Sequence, residues 1–240
     1  MHICILSRGV PDENSPLNGM YEWGHALTLR ELGYAVTVVA VDLRIGKKRK
    51  ERGLSAYEKE GIRVYDYGLP VGALKRNVAQ RLRLSVIKRL FAAFRASGEM
   101  PDLVWVLFGR AFGGIALGLK DAYGVPYVIC EYESRLLEGR VKKKDGVKLR
   151  RAYARASLLF APNPAFANRL SVRFGRNFSV LPQTVSGGRM KKRHDGFVFL
   201  SIGALSVNKG MDVLLRAFAA VRKGRSDCFL VIVGRGEERR

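Results

Sequence analysis

The feature that most constrains the fold is a repeated alternation of apolar strand-like runs, loops and amphipathic helices, clearest over the last 44 residues, 197–240. Residues 197–202 are rich in β-branched and aromatic side chains, and this run ends at Gly203. Apolar residues then recur at helical spacing from Met211, and residues 229–233 indicate a second buried strand. A strand, loop, helix and strand in this order predict a parallel sheet whose carboxyl edge carries the loop and the helix start, where open α/β sheets bind ligands.

The loop itself indicates an anion site. We expect Lys209 and Gly210 in the first turn of the helix, where a cation opposes the positive end of the helix dipole and glycine is a poor helix former. Both residues suit a bound anion, because Lys209 would counter its charge and Gly210 would leave backbone N–H groups approachable. The alternative is that Lys209 is simply one of 43 basic residues on a basic surface.

The N-terminal part repeats the same order of elements. It has no G-x-G-x-x-G after its first strand, which disfavours a dinucleotide site. The predicted strands are residues 2–6, 35–41, 62–67, 101–108, 126–131, 158–161 and 178–181, and the predicted helices are residues 20–32, 73–96, 111–123 and 164–174.

Residue types and spacings over the last part of the chain resemble a known family. The matching positions are Ser201-Ile202-Gly203-Ala204-Leu205, Lys209-Gly210, Leu214-Leu215, Ala217-Phe218 and Leu230-Val231-Ile232-Val233-Gly234-Arg235-Gly236-Glu237. They are similar to the start of the C-terminal domain of family 4 retaining glycosyltransferases, the glycosyl transferases group 1, which have the GT-B fold. The resemblance implies an α/β chain with a Rossmann-like N-terminal, acceptor-side domain at 1–185, and a linker with an incomplete Rossmann-like donor-binding domain at 186–240.

The resemblance also implies a function and candidate site residues. Family members transfer a sugar from a nucleotide-sugar donor to an acceptor, with retention of configuration, and the donor is a substrate, so neither a cofactor nor a metal site is expected. The implied donor-binding residues are Gly19, Gly203, Lys209 and Gly210, and the candidate cleft contacts are Asn18, Arg110 and Glu131. Each has an alternative: Gly19 as a turn residue before a helix, and Arg110 and Glu131 as ordinary loop charges.

This sequence departs from the family pattern in ways that leave the catalytic residues unknown. Histidines common after two N-terminal strands of the family are replaced here by residues 108–110 and 131–133, and Ala204 stands where the family has a donor-binding arginine. The family's E-x7-E signature would lie beyond Arg240. We therefore expect either part of a longer enzyme or a truncated and inactive relative.

The formal charge of +22 indicates anionic partners. Helix 73–96 and segment 135–155 are the main basic stretches, and we expect both to contact an anionic membrane surface, with a lipid-linked or polysaccharide acceptor and a cytoplasmic, peripheral location. The alternative is a basic nucleic-acid-binding α/β module without enzymatic activity. Because no zinc-ligand spacing, RNP-like motif or helix-turn-helix signature accompanies the charge, no specific nucleic acid is expected.

Further interpretations limit the choice of function. The run from Gly203 to Gly210 lacks the glycine before the lysine and the Ser or Thr after it that a P-loop needs. Three cysteines without metal-ligand spacing, each in an apolar run, predict buried reduced thiols. The longest apolar stretch, residues 103–119, is too short and too interrupted to span a bilayer, and no signal peptide is recognised.

Overall fold

The computed structural model describes residues 1–43, 53–69, 76–137, 143–183 and 196–237. The chain divides into two compact units, Met1–Ser186 (unit 1) and Gly187–Arg240 (unit 2), and each is described by itself. The predicted basic loop 44–52 and most of the linker 186–196 lie outside the described residues.

Unit 1 is built on an eight-stranded sheet in the order β3-β4-β2-β1-β5-β6-β7-β8. All neighbouring strands are parallel except β3 and β4, which form an antiparallel pair at one edge. The strands are β1 (His2–Ser7), β2 (Ala35–Asp42), β3 (Gly53–Lys59), β4 (Ile62–Gly68), β5 (Leu103–Leu107), β6 (Tyr127–Cys130), β7 (Leu158–Ala161) and β8 (Ser179–Val180).

The described part of unit 1 contains five α-helices. The helices are α1 (Met20–Glu31), α2 (Arg76–Ser97), α3 (Gly109–Tyr123), α4 (Lys143–Arg155) and α5 (Pro164–Phe174). Their ends follow local chemistry: the α5 helix begins after Asn163, whose side chain accepts a hydrogen bond from the backbone N–H of Phe166, and it stops at Gly175, which has a left-handed φ of 66°.

The core lies on both faces of the sheet because alternate residues of each parallel strand point to opposite sides. On β1, Cys4 and Leu6 belong to the larger cluster, which contains α2, α3, α4 and α5. Ile3 and Ile5 belong to the second cluster, where α1 packs. The near-continuous apolar runs of the sequence are thus explained by burial on both faces.

The strand order reverses direction beside β1. The chain moves from β1 to β2 on one side and later returns to place β5 on the other side, so the carboxyl ends of β1 and β5 form a topological switch point. In open α/β sheets the crevice at such a point is the usual ligand site.

Unit 2 contains β9 (Phe197–Ile202), a short 3-10 helix (Val207–Lys209), α6 (Met211–Gly224) and β10 (Cys228–Val233). The β9 and β10 strands pair in parallel, as predicted. However, the second strand is not the buried strand that its apolar run predicts, because Cys228 is the only buried residue described in this unit. One helix cannot cover both faces of two strands.

The β3 strand and the α4 helix were not predicted from the sequence. Cys4, Cys130 and Cys228 are buried free thiols, as expected. Over the described parts of the chain, the helices include none with the length and apolar character that crossing a bilayer would require.

Candidate functional site

The candidate site of unit 1 begins with the loop after β1, which is held by backbone contacts between its two ends. Gly19 is buried and has a left-handed φ of 72°, and a Cβ there would lie 2.0 Å from the carbonyl oxygen of Gly9. A Cβ on Gly9 would in turn lie 1.7 Å from Nδ2 of Asn18. Position 19 therefore requires glycine, and Gly19 has a structural role whether or not a ligand binds beside it, whereas a side chain at position 9 would have to displace that of Asn18.

Asn18, a candidate cleft contact, is half-buried and fixes this loop to the sheet. Its Nδ2 donates to Oδ2 of Asp42 at 3.3 Å, at the end of β2. Arg8 fixes the other end of the loop, because its Nε lies 2.9 Å from Oε1 of the buried Glu22.

The start of α3 is an unusual backbone position. Phe108, its N-cap residue, has a left-handed φ of 63°, a conformation that costs a non-glycine residue about 1–3 kcal/mol. The Phe108 ring lies under the guanidinium of Arg8, with Cζ of Arg8 4.1 Å from the ring centroid. The turn thus presents a cation at the end of β1 beside the amino end of α3, and such strained residues cluster at functional sites.

Glu131 follows β6 as expected, but it points into the protein. It is fully buried, and its Oε2 accepts hydrogen bonds from the Gly109 backbone N–H at 2.9 Å and from the Tyr153 hydroxyl at 2.7 Å. Its Oε1 accepts a third from the backbone N–H of Glu133 at 3.0 Å. Burial nevertheless raises the pKa of Glu131 to about 7, which the three donors only partly oppose. The geometry assigns Glu131 to positioning α3 rather than to direct contact in a cleft.

Arg110 is half-buried on the second residue of α3, with an ion pair to Glu133. A cation in the first turn opposes the helix dipole, and this turn contains no acidic residue. A cation at the start of a helix is also the feature from which the sequence predicted an anion site at Lys209.

A cavity of about 330 Å³ opens at this edge of the sheet, and we call it the arginine pocket. It contains three guanidinium groups and one carboxylate among its lining side chains. Its lining residues are Arg8, Gln80, Arg83, Phe108, Arg110, Ala111 and Glu133. Two of these cations already have partners, since Arg8 pairs with the buried Glu22 and Arg110 pairs with Glu133, so the suitability of the lining for an anionic ligand rests mainly on Arg83.

Arg83 carries the clearest sign of an unbalanced charge. Among the residues that the structure describes, no carboxylate lies within ion-pair distance of Arg83, whose Nε donates to the Val41 carbonyl oxygen at 3.5 Å. Burial and then the neighbouring charge of Arg8 lower the pKa of Arg83, and the more distant Asp42 carboxylate partly opposes them. The two neighbouring guanidinium groups would be stabilised by an anion bound between them.

The aromatic residues beside this pocket form a packed support. Tyr132 stacks on Tyr21 with ring centroids 6.2 Å apart, and its hydroxyl lies 2.9 Å from Nε2 of His25. Burial lowers the pKa of His25 to about 4, so the imidazole is neutral near neutral pH. His25 is therefore suited to supporting Tyr132 in the neutral form.

In unit 2 the structure corrects the predicted helix start. Lys209 ends the 3-10 helix and Gly210 is the N-cap of α6, with a left-handed φ of 63°, so neither lies in the first helical turn. The amino end of α6 nevertheless follows both residues directly. The side chain of Lys209 is exposed, and nothing lies within 4 Å of where a Gly210 Cβ would stand. The amides and the lysine remain accessible to an anion.

The loops after β9 and β10 run side by side. The Gly203 backbone N–H donates to the Val233 carbonyl at 3.0 Å, and a Cβ on Gly234 would lie 1.9 Å from the carbonyl oxygen of Gly203. Gly203, predicted as a donor-binding residue, is thus fixed by its neighbouring loop.

Several residues of these sites were missed in the sequence. Arg8, Arg83 and Tyr153 come from a loop and two helices, and only the sheet order brings them together with the residues after β5 and β6. The sequence signal was weak: an arginine directly after a buried strand, in the case of Arg8, was the one clue. Among the described residues, no group of three or more His, Cys, Asp or Glu is arranged to hold a metal ion.

Two family descriptions match the chain. Residues 23–182 match the glycosyl transferase 4-like domain, and residues 188–240 match the glycosyl transferases group 1. No curated protein is significantly similar in sequence.

Solved structures share the fold. The structure of trehalose-6-phosphate from E. coli bound with UDP-2-fluoro glucose matches this chain with a TM-score of 0.62 at 11% sequence identity. The match covers 99% of this chain and 65% of that chain. The structure of an alpha,alpha-trehalose-phosphate synthase (UDP-forming) from Burkholderia vietnamiensis matches with a TM-score of 0.62 at 14% sequence identity, and the match covers 99% of this chain and 64% of that chain. The structure of an Arabidopsis thaliana protein complexed with UDP-L-rhamnose matches with a TM-score of 0.50 at 13% sequence identity, and the match covers 85% of this chain and 57% of that chain.

These likenesses confirm the predicted fold class, two Rossmann-like α/β parts of GT-B type. The chain spans about 65% of the length of the first of these structures.

Proposed function

The chain belongs to the glycosyl transferase 4-like family, and on that basis we propose that it acts in the transfer of a sugar from a nucleotide-sugar donor to an acceptor. The observation that carries the proposal is that Lys209 and Gly210 directly precede the amino end of α6 in unit 2. Three solved structures with the same fold are a complex with UDP-2-fluoro glucose, a UDP-forming synthase and a complex with UDP-L-rhamnose.

The donor diphosphate would bind at this point because three features converge there. The first backbone N–H groups of α6 have no partner within the helix, and the helix dipole favours a negative charge. Gly210 leaves the approach open, and Lys209 supplies a mobile cation. Stabilisation of the leaving diphosphate by these groups is the electrostatic part of the transfer.

Gly203, whose N–H already donates to the Val233 carbonyl, would act by leaving this loop without a side chain, and Gly19 would provide the corresponding glycine of unit 1. The finer features of the proposal are retention of configuration, transfer without a metal ion, and an acceptor that is a glycan or is linked to a lipid.

Membrane association is part of the proposal. Two helices of unit 1 carry most of the relevant basic charge, α2 and α4. Exposed basic residues on these helices are Arg81, Lys88, Arg89, Arg95, Lys148, Arg150, Arg151 and Arg155. Each basic residue near an anionic bilayer contributes about 1 kcal/mol to binding. We propose a peripheral location at the cytoplasmic membrane surface.

The experiment that tests donor binding is calorimetric titration of the whole chain with UDP, UDP-glucose and GDP-mannose. We expect saturable binding of at least one nucleotide. Lys209→Ala should weaken that binding about tenfold, the effect of losing one charge-assisted hydrogen bond. Lys223→Ala, which removes an exposed lysine in the last turn of the same helix, is the matched control and should leave the affinity unchanged.

The thermal unfolding of both variants should match that of the unaltered chain. Donor binding that is absent, or equal in Lys209→Ala and Lys223→Ala, would contradict the proposal.

A further inference from the structure

The arginine pocket continues into a second cavity of about 260 Å³, which we call the helix groove. The two share Gln80, Arg110 and Ala111 in their linings, so they are neighbours on one side of α3. The helix groove runs between α2, α3 and α4, the helices that carry the two basic stretches of the sequence.

The helix groove has an apolar floor and basic residues at its mouth, and its lining also contains one buried carboxylate, that of Asp145. Leu84, Ile115 and Leu149 contribute apolar side chains from the three helices, and Ile115 and Leu149 are almost fully buried. Arg81 and Lys148 are exposed on the two outer helices. An apolar floor between basic flanks is suited to a ligand with a hydrocarbon part and an anionic part.

Glycines of α3 make the groove possible. A Cβ on Gly113 would lie 3.1 Å from Cβ of Ala152, so this glycine allows α3 and α4 to approach closely. One residue further, Gly114 lines the groove, is exposed, and would have nothing within 4 Å of an added Cβ. A side chain at position 114 would therefore occupy the groove without displacing the core.

From this geometry we propose that the acceptor is a lipid phosphate: its phosphate lies among Arg8, Arg83 and Arg110 in the arginine pocket, and its hydrocarbon part lies in the helix groove. This inference rests on the proposed function, because it treats the ligand as the acceptor. It explains why three cations line the arginine pocket beside an apolar groove. It also explains the basic faces of α2 and α4, which would meet the membrane from which such an acceptor is taken.

The test measures binding of octyl phosphate, inorganic phosphate, octanol and glucose 6-phosphate to the whole chain by calorimetry, without any donor. We expect octyl phosphate to bind at least about tenfold more tightly than inorganic phosphate, the effect of burying two methylene groups. Glucose 6-phosphate separates a water-soluble phosphate ester from a lipid phosphate, and it should bind no better than inorganic phosphate.

Two variants separate the two parts of the site. Arg83→Gln should weaken octyl phosphate and inorganic phosphate together, by about tenfold or more, because a charge-assisted contact is lost. Gly114→Leu should weaken octyl phosphate about tenfold and leave inorganic phosphate unchanged, because it fills the helix groove alone. Arg89→Gln removes an exposed charge from the outer side of α2 and should change neither affinity.

The proposal is overturned by any of three results. These are octyl phosphate binding no tighter than inorganic phosphate or glucose 6-phosphate, Gly114→Leu without effect on octyl phosphate, and Arg83→Gln indistinguishable from Arg89→Gln. Because no nucleotide is present, a failure of donor binding at Lys209 leaves this measurement unaffected, so the two proposals fail separately.

Discussion

Replacement of Glu131 by glutamine should change how the stability of unit 1 depends on pH. Burial raises the pKa of this carboxyl from 4.5 to about 7. A carboxyl group with a raised native pKa stabilises the fold fully below its unfolded pKa, and the stabilisation is lost as the pH rises through the native pKa. The unaltered chain should therefore lose stability relative to Glu131→Gln between about pH 5.5 and about pH 8.

The size of the effect follows from the linkage relation. At about pH 5.5 Glu131 is protonated in the native state and ionised in the unfolded state, and at about pH 8 it is ionised in both. Integration over this interval gives a loss of about 2 kcal/mol. His25 acts in the opposite direction, because burial lowers the pKa of its imidazole to about 4. The comparison with Glu131→Gln cancels the contribution of His25, which both chains share.

The assay is urea unfolding followed by tryptophan fluorescence. Trp23 and Trp105 are the two tryptophans of the chain and both belong to unit 1, so the signal reports on the unit that contains Glu131. The free energy of unfolding of the unaltered chain minus that of Glu131→Gln should fall by about 2 kcal/mol from about pH 5.5 to about pH 8. A difference that stays constant or grows with pH would refute the reasoning, because it would mean that the three hydrogen-bond donors outweigh burial.

The remaining predictions concern glycines that approach backbone atoms. Gly19→Ala should destabilise unit 1 by roughly 3 kcal/mol in the same assay, because it adds a backbone clash to a left-handed φ, whereas Gly33→Ala has the left-handed φ alone and should cost about 1–2 kcal/mol. Equal losses in the two variants would contradict this. Gly234→Ala should lower hydrogen-exchange protection of the β9 and β10 amides, because its Cβ would meet the Gly203 carbonyl oxygen, while Gly224→Ala meets open space and should not. Unchanged protection in Gly234→Ala would show that the two loops can separate freely.

The fold could be predicted where local chemistry marks both ends of an element. The α5 helix was predicted at residues 164–174 and the structure agrees, with Pro164 in its first turn and Gly175 at its end. The β3 strand was missed, since an antiparallel edge strand of alternating exposure lacks the continuous apolar run of its neighbours. The α4 helix was missed because its sequence is rich in charged residues, and its buried apolar face is formed by Leu149, Ala152 and Tyr153.

A candidate site residue could be predicted where only one residue type suits the backbone conformation. Gly19 was proposed from the family resemblance with a turn residue as the alternative, and its left-handed φ bears out the turn. Arg83 could not be found, because its significance depends on Arg8 and Arg110, which are distant in the chain and adjacent only in the sheet. Glu131 was located at the correct strand end, but the direction of its side chain depends on Tyr153, which no local pattern reveals.

The two strands of unit 2 have a consequence for the behaviour of the chain in solution. In the described part of this unit, β9 and β10 pair only with each other, so each has one outer edge whose backbone groups lack strand partners. The residue Phe197 is 57% exposed, and Phe229 is 56% exposed. Exposed apolar edge strands are templates for intermolecular pairing, which the high positive charge opposes by repulsion. Self-association of the chain should therefore increase as salt screens that repulsion.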